Sequence, residues 1–328
     1  MLLSTGGLGD VIVFSPVFIA ARHALPRAEI ILVTASAIAR ELYAFSPGLD
    51  SIEIIDTNRK YEPSLYRKLW QFGLKCRRGG GTTALVCAPR LSRWLTRLFA
   101  ALCRPQNVMA MAFPPDGISD LEASRTLARR LAPDLSNPVA FAPVTAADAT
   151  KVRTLLRQKF GVDDPGRLVA VYPSVAKPNR PLWDLRRLLG VAAKIAVVTN
   201  GKVVVVGGAE EGHACQAICA ERKDILNVAG MLTITETAAL MAQARLAICN
   251  DGGIMHLAGA VGCPMVAIMP DEKKHYRPPG EYVRVITPSM VTVRAADLES
   301  IGEEPVWKAA QELLCATAGR KGYPVILS

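Results

Sequence analysis

NDGGIMHLAGAVGCPMVAIM, residues Asn250–Met269, joins a polar turn, a run of small residues typical of a helix, and a second apolar run. The apolar run Leu246–Cys249 comes directly before it, so the order is strand, turn, helix, strand. The first N–H groups of a helix have no partner inside the helix, and the helix dipole adds positive charge there. Gly252 and Gly253 have no side chain that would keep an anion away. The stretch predicts an α/β unit whose turn binds an anion, with Asp251 as an ordinary helix cap as the alternative.

The composition indicates a globular protein with an anionic partner. The chain has 328 residues, half of them hydrophobic, and a formal net charge of +10. This charge favours a nucleotide, a phosphorylated saccharide or an anionic membrane surface, and we expect no nucleic acid because no recognised motif is present. The eight cysteines form no C-x-x-C pair, which predicts reduced thiols, a cytoplasmic protein and no metal site. No apolar run is long enough to cross a bilayer.

A glycine-rich turn also stands near the start of the chain. Ser4–Asp10 (STGGLGD) lies between a short strand and the predicted helix Val11–Leu25. It is not the dinucleotide fingerprint, because Ile12 stands where the third glycine should be, and a nicotinamide dehydrogenase is therefore disfavoured. Gly7 would let the backbone approach a ligand. Asp10 would lie at the carboxyl end of a strand, where open α/β sheets bind ligands, or would only cap the helix.

Strands alternate with helices through both halves of the chain, which predicts parallel sheets with helices on both faces. Ala132–Ala149 carries three prolines and small residues, so it is the predicted connection. The predicted domains are 1–148 and 149–328, two facing α/β domains with a cleft between them.

Loops at the predicted strand ends of the second domain carry residues that suit a nucleoside diphosphate. Basic side chains and a helix start bind phosphates, and a carboxylate accepts hydrogen bonds from ribose hydroxyls. The residues are Lys177, Arg180, Glu210, Glu211, Asp251, Gly252, Gly253 and His256.

A basic stretch in the first half offers another anionic contact. Arg90, Arg93 and Arg97 are spaced to share one face of the predicted helix Leu91–Cys103, with Trp94 and the aliphatic residues towards the other side. The face favours an anionic acceptor or a membrane surface. An ordinary solvated helix face is the alternative.

Four segments, in this order and spacing, resemble the heptosyltransferase-type glycosyltransferases that build the lipopolysaccharide core of Gram-negative bacteria. They are Ser4–Pro16, Pro173–Trp183, Val204–Glu211 and Ala244–Pro264. The resemblance implies two Rossmann-like domains in the GT-B arrangement. It also implies that the nucleotide sugar binds mainly to the C-terminal domain and the acceptor mainly to the N-terminal one.

The resemblance also implies roles for single residues, with Asp10 as the catalytic base. The implied donor contacts are Lys177 or Arg180 for the phosphates, Glu210 or Glu211 for the ribose, Leu232 near the adenine, Asp251 for the sugar, and Gly252, Gly253 and His256 at the phosphate-binding helix start. We expect weaker acceptor contacts at Gly7, Arg90, Arg93 and Arg97. Two positions depart from the family pattern: Gly252 replaces the usual Thr or Ser, and Ser174 replaces the Gly common after Pro173.

The expected activity is inverting transfer of a sugar, by resemblance heptose from ADP-heptose, to a saccharide or lipid-linked acceptor such as the lipopolysaccharide inner core. No metal or other cofactor is needed for this mechanism, because cationic side chains and a helix terminus can stabilise the leaving diphosphate. A non-catalytic sugar-nucleotide or saccharide-binding protein and a GT-B-fold epimerase are the alternatives. Peripheral contact with the inner face of the inner membrane is a further expectation.

Overall fold

The computed structural model describes residues 1–4, 6–56, 63–78, 84–88, 93–110, 117–175, 181–291 and 297–319. The chain divides into two compact units, Met1–Phe141 and Ala142–Ser328. Each unit contains one parallel sheet with helices, which confirms the predicted α/β class. All eight cysteines are free thiols, as predicted. None of the described helices is both long and apolar enough to span a bilayer.

Unit 1 is built on a sheet of five described strands in the order β3-β2-β1-β4-β5. The strands are β1 (Leu2–Ser4), β2 (Ile31–Thr34), β3 (Ser51–Ile54), β4 (Ala84–Cys87) and β5 (Asn107–Met109). Every pair of neighbouring strands is parallel. The chain winds one way from β1 to β3 and returns beside β1 with β4. Ligands of such sheets bind at the carboxyl ends of the strands where the order reverses, here β1 and β4.

The helices of unit 1 are α1 (Leu8–Phe14), α2 (Pro16–Ala24), α3 (Ala37–Tyr43), α4 (Pro63–Arg78), α5 (Arg93–Cys103) and α6 (Asp120–Leu131). The predicted single helix Val11–Leu25 is wrong in two respects: it begins earlier, at Leu8, and Ser15 separates it into α1 and α2. Pro16 has no N–H to continue the helical hydrogen bonds. The Ser15 hydroxyl instead donates to the Ile12 carbonyl at 2.7 Å.

Unit 2 has a sheet of six described strands in the order β11-β10-β9-β6-β7-β8. They are β6 (Leu168–Tyr172), β7 (Lys202–Val205), β8 (Ile225–Asn227), β9 (Leu246–Asn250), β10 (Met265–Ile268) and β11 (Val283–Ile286). All neighbours are again parallel. The strand order reverses between β6 and β9, so the loops that follow these two strands flank the predicted ligand crevice.

The helices of unit 2 are α7 (Ala146–Phe160), α8 (Leu185–Val198), α9 (Ala209–Glu221), α10 (Ile234–Gln243), α11 (Gly253–Ala260), α12 (Pro288–Val291) and α13 (Glu303–Ala316). Short 3-10 segments cover Pro165–Arg167, Asp271–Tyr276 and Leu298–Ser300. A capping box opens α10: Thr233 accepts the Glu236 N–H, and Glu236 accepts the Thr233 N–H. Helix α9 begins at Ala209, and Glu211 caps it from within its first turn.

Candidate functional site

The turn between β9 and α11 lies at the carboxyl end of a switch-point strand of unit 2. Asn250 ends β9, Asp251 follows it, and both residues are buried. Gly252 is the N-cap of α11 in extended backbone, and Gly253 begins the helix. The predicted strand, turn and helix are therefore present, with the free N–H groups of α11 at this edge of the sheet.

Asn250 joins this turn to the loop that follows β6. Its side-chain amide donates to the Pro173 carbonyl at 3.0 Å and to the Trp183 carbonyl at 3.1 Å. Its oxygen accepts the Trp183 N–H at 3.2 Å. Both ends of the loop are thus fixed to β9 by one buried side chain. The predicted phosphate contacts Lys177 and Arg180 belong to this loop but lie outside the described residues.

Ser174 and Tyr172 explain why position 252 has no side chain. The Ser174 hydroxyl donates to the Asp251 carbonyl at 2.7 Å and is buried. A Cβ added to Gly252 would lie 2.7 Å from the Ser174 Oγ and from the Tyr172 Oη, and 2.6 Å from the Tyr172 Cε1. The two departures from the family pattern therefore meet in space. The volume that a Thr or Ser would fill at position 252 is occupied by hydroxyl-bearing side chains from the end of β6.

His256 belongs to α11, near its start, and its side chain lies in the interior of unit 2. It is fully buried, and its ring centroid lies 4.4 Å from that of Tyr276. Tyr276 ends the 3-10 segment that Asp271 opens. Asp271 contacts Lys274 at 2.8 Å and accepts the Ser289 N–H at 3.0 Å. Hydrogen bonds from Lys274 and Ser289 hold the pKa of the Asp271 carboxyl well below its usual range, and the Ser289 bond joins the 3-10 segment to α12.

Glu210 and Glu211 differ in where their carboxylates lie at the end of β7. Glu210 is exposed, whereas Glu211 is only 2% exposed and its Oε2 accepts the Gly208 N–H at 2.8 Å. Gly207 has a φ of +145°, and a Cβ there would lie 2.6 Å from the Glu211 Cγ. The corner is therefore built around the Glu211 side chain.

Leu232 lies near this corner, in the segment between β8 and α10. Two residues before it, the Gly230 N–H donates to the Gly207 carbonyl at 3.0 Å. Leu232 itself is half-buried and directly precedes Thr233, the N-cap of α10. The segments after β7 and β8 are thus joined at the same edge of the sheet.

In unit 1, Gly7 and Asp10 form the corner between β1 and α1. The Gly7 N–H donates to the Asp10 Oδ2 at 2.7 Å, and Asp10 is partly exposed. A Cβ on Gly6 would lie 2.2 Å from the Asp10 Cγ. The Asp10 carboxylate therefore packs against Gly6 and accepts the Gly7 N–H, after β1, a switch-point strand.

The basic stretch of unit 1 is only partly described. Arg93 and Arg97 are exposed on α5, and Arg90 lies outside the described residues. The expectation that Trp94 packs on the apolar side of this helix is wrong, because Trp94 is 53% exposed. Phe99 and Cys103, one helical turn apart, form the buried side of α5, so Trp94 shares the outer side with the two arginines.

The predicted donor residues within the described part of unit 2 thus share the carboxyl edge of one sheet, on strands β9, β7 and β8 and the segments that follow them, with β6 between β9 and β7. Asp10 and Gly7 occupy the corresponding edge of the other unit. Three contributors were not predicted: Asn250, Ser174 and Trp183. Their partners lie 67 or 77 residues away in sequence, so no local pattern reveals them.

Comparison with known proteins identifies a family match in the second half of the chain. The model for glycosyltransferase family 9 (heptosyltransferase) matches residues 135–295. Lipooligosaccharide heptosyltransferase 2 of Haemophilus influenzae is 29% identical over 119 residues, which cover 33% of this chain and 34% of that protein. The match therefore spans about a third of that relative's length.

Two solved structures share the fold. The family 9 glycosyltransferase of Veillonella parvula has a TM-score of 0.80 at 20% identity, and 96% of each chain is covered. The ADP-heptose lipopolysaccharide heptosyltransferase II of Escherichia coli has a TM-score of 0.73 at 17% identity, covering 96% of this chain and 98% of that one. The predicted resemblance is confirmed: residues 135–295 of this chain match the model for glycosyltransferase family 9.

Proposed function

We propose that this protein is an inverting glycosyltransferase that moves heptose from ADP-heptose to a saccharide of the lipopolysaccharide inner core. The observation that carries the proposal is the Asp251–Gly253 turn at the switch point of unit 2, within the family 9 domain. A parallel sheet binds ligands at this point, and a helix start with no obstructing side chain suits a diphosphate.

The donor would be held by unit 2. The N–H groups of Gly252 and Gly253, with Lys177 or Arg180, would bind the diphosphate and stabilise its charge as it leaves. Asp251 would contact the sugar. His256, buried under Tyr276, would keep the helix start in place from behind.

The nucleoside would lie along the ends of β7 and β8. Its ribose hydroxyls would donate to Glu210 or Glu211, and Leu232 would contact the adenine. Glu210 suits the ribose better, because its carboxylate is exposed while that of Glu211 already accepts a backbone N–H. The charge of the diphosphate would be balanced without a divalent metal, so added chelator should leave turnover unchanged.

The acceptor would be activated by Asp10. Its carboxylate would take the proton of the acceptor hydroxyl as the new bond to the anomeric carbon forms. The bond from that carbon to the diphosphate breaks at the same step, and the nucleoside diphosphate leaves with its electron pair. Gly7, Arg93 and Arg97, with Arg90, would contact the acceptor. Peripheral contact with the inner membrane surface belongs to the same proposal.

The test is to incubate the protein with a panel of nucleotide sugars, with and without an inner-core acceptor, and to identify products by mass spectrometry. The expected result is one heptose added to the acceptor, with ADP released only when acceptor is present. Conversion of a donor to its epimer without acceptor would make the protein an isomerase. Donor binding without turnover under any condition would make it a sugar-nucleotide binding protein.

A further inference from the structure

Helices α4 and α5 of unit 1 pack closely side by side. The Arg77 Nε donates to the Leu102 carbonyl at 2.8 Å, and the Phe72 and Phe99 rings meet edge to face at 6.3 Å. A Cβ on Gly73 would lie 3.1 Å from the Leu102 carbonyl oxygen. The two helices therefore present one continuous outer surface, here called the α4–α5 face.

The charge of this face has one sign. Helices α4 and α5 together contain seven lysines and arginines and no acidic residue. Six of these cations are exposed: Arg67, Lys68, Lys75, Arg77, Arg93 and Arg97. Lys75 contacts Glu53 of β3 at 2.8 Å, and this ion pair balances its charge. The excess positive charge of the two helices attracts an anionic surface.

Large aromatic side chains stand among these cations. Tyr66 and Trp70, one turn apart on α4, are 56% and 59% exposed, and Trp94 on α5 is 53% exposed. Exposed tryptophans are costly in water, whereas Trp and Tyr are enriched where a bilayer meets water, because the ring is amphipathic. Arg67 and Trp70, like Trp94 and Arg97, are three residues apart, which places an aromatic ring beside a cation on each helix.

We propose that the α4–α5 face docks the protein on a bilayer surface rich in anionic phosphate headgroups. Trp70 and Trp94 enter the interfacial layer, and Arg67, Lys68, Arg93 and Arg97 contact the headgroup phosphates. Both helices begin at the carboxyl edge of the unit 1 sheet, the edge at which β1 leads into Asp10. Docking on this face would bring that edge close to a saccharide carried on a lipid, and in this respect the inference rests on the proposed function and names the surface for its membrane contact.

The test measures co-sedimentation of the full chain with vesicles of phosphatidylcholine alone and of phosphatidylcholine with phosphatidylglycerol. We expect binding to the anionic vesicles, weakened by salt, and little binding to the neutral ones. Tryptophan fluorescence gives a second readout, because Trp183 is buried and Trp307 is half-buried, while Trp70 and Trp94 are exposed. The emission should shift to shorter wavelength with anionic vesicles, and this shift should be lost in Trp70→Ser/Trp94→Ser.

Matched variants distinguish an effect of the α4–α5 face on vesicle binding from effects of net charge and of general hydrophobicity. Arg67→Glu/Arg97→Glu should weaken vesicle binding at least about 25-fold, at about fivefold for each cation lost. Arg186→Glu/Lys223→Glu makes the same charge change on exposed residues of unit 2, and Phe45→Ser removes an aromatic ring that is 90% exposed elsewhere in unit 1. Both controls should bind within about threefold of the parent.

Three outcomes would overturn the proposal. Because the vesicle assays contain no donor or acceptor, they test membrane docking separately from the transfer reaction. The first is equal binding to neutral and anionic vesicles, or none. The second is an equal loss in the unit 2 charge control. The third is evidence that something other than a bilayer covers this face. Such evidence would be a dimer that dissociates in Trp70→Ser/Trp94→Ser, or binding of a single-stranded oligonucleotide when vesicles do not bind.

Discussion

The two units contain the same local sequence motif after different strands of their sheets. Gly6-Gly7-x-x-Asp10 follows β1, and Gly207-Gly208-x-x-Glu211 follows β7. In both, the second glycine donates its N–H to the acid, at 2.7 Å and 2.8 Å. In both, a Cβ on the first glycine would strike the acid's Cγ, at 2.2 Å and 2.6 Å. The same spacing therefore builds the same capped helix start twice.

The difference lies in burial and topology. Glu211 is 2% exposed and follows β7, which is one strand removed from the switch point of its sheet. Asp10 is partly exposed and follows β1, which is itself a switch-point strand. Local sequence thus determines the corner, while the position in the sheet determines whether its carboxylate can meet a ligand.

Asp10→Asn tests whether the carboxylate of the unit 1 corner takes part in catalysis, and it should have the largest effect. The Asn side-chain oxygen can still accept the Gly7 N–H, so α1 stays capped, but the side chain can no longer take a proton. We expect kcat to fall at least about a hundredfold with unchanged ADP affinity, measured by steady-state kinetics and titration calorimetry. Near-normal turnover would remove Asp10 from the mechanism.

The first glycine of each corner gives a matched pair of variants. Gly6→Ala would push the Asp10 carboxylate aside, and a displacement of about 1 Å at a reacting group costs on the order of a hundredfold in rate. Gly207→Ala would add strain at a φ of +145° and displace a buried carboxylate, so the free energy of unfolding should fall by about 2 kcal/mol.

Thermal denaturation and steady-state kinetics of both glycine variants test this contrast. The melting temperature should fall more in Gly207→Ala, and kcat should fall more in Gly6→Ala. The reverse pattern would show that burial does not separate the two corners.

Glu211→Gln should have a smaller effect, confined to stability. The amide still accepts the Gly208 N–H, but the charge at the helix start is lost, which costs about 1 kcal/mol. Glu210→Gln is the matched control on the exposed neighbour, and it should weaken ADP binding without changing the melting temperature. Weaker ADP binding in Glu211→Gln alone would transfer the ribose contact to the buried acid.

Asp271→Asn should have the smallest effect and a defined pH dependence. Its native pKa lies below the ordinary value, so its ion pair with Lys274 stabilises the fold above about pH 4 and is lost as the pH falls through the native pKa. The pair is partly exposed, so the loss at pH 7 should be about 0.5 kcal/mol or less. Melting temperatures of parent and variant should differ at pH 7, and this difference should be smaller at pH 3. A constant difference at both pH values would exclude the ion pair as the cause.

The sheet strands were predictable because most are short, continuous apolar runs, as in Leu168–Tyr172. Strand β11 was not predicted, because VRVI contains a charged residue and lies outside the regular alternation. The division of the first long helix depends on the Ser15 hydroxyl and on Pro16, and the apolar pattern continues across both. Helix starts are set by single hydrogen bonds, which periodicity cannot resolve.

The site was predictable only where its signal is local. The Asp251–Gly253 turn and the Gly6–Asp10 corner are visible as glycines and acids after apolar runs. The hydrogen bonds of the Asn250 side chain were not predictable, because their partners in the loop after β6 are distant in sequence. The exposure of Trp94 also escaped prediction, since an aromatic residue in an apolar helix normally indicates core.

The crowding at Gly252 makes positions 172, 174 and 252 share a single volume. Ser174 Oγ and the Tyr172 ring stand where a side chain at position 252 would begin. Any side chain at position 252 therefore requires the Ser174 hydroxyl and the Tyr172 ring to move. Positions 174 and 252 lie 78 residues apart in sequence, yet packing couples them, so a substitution at one changes the space available to the other.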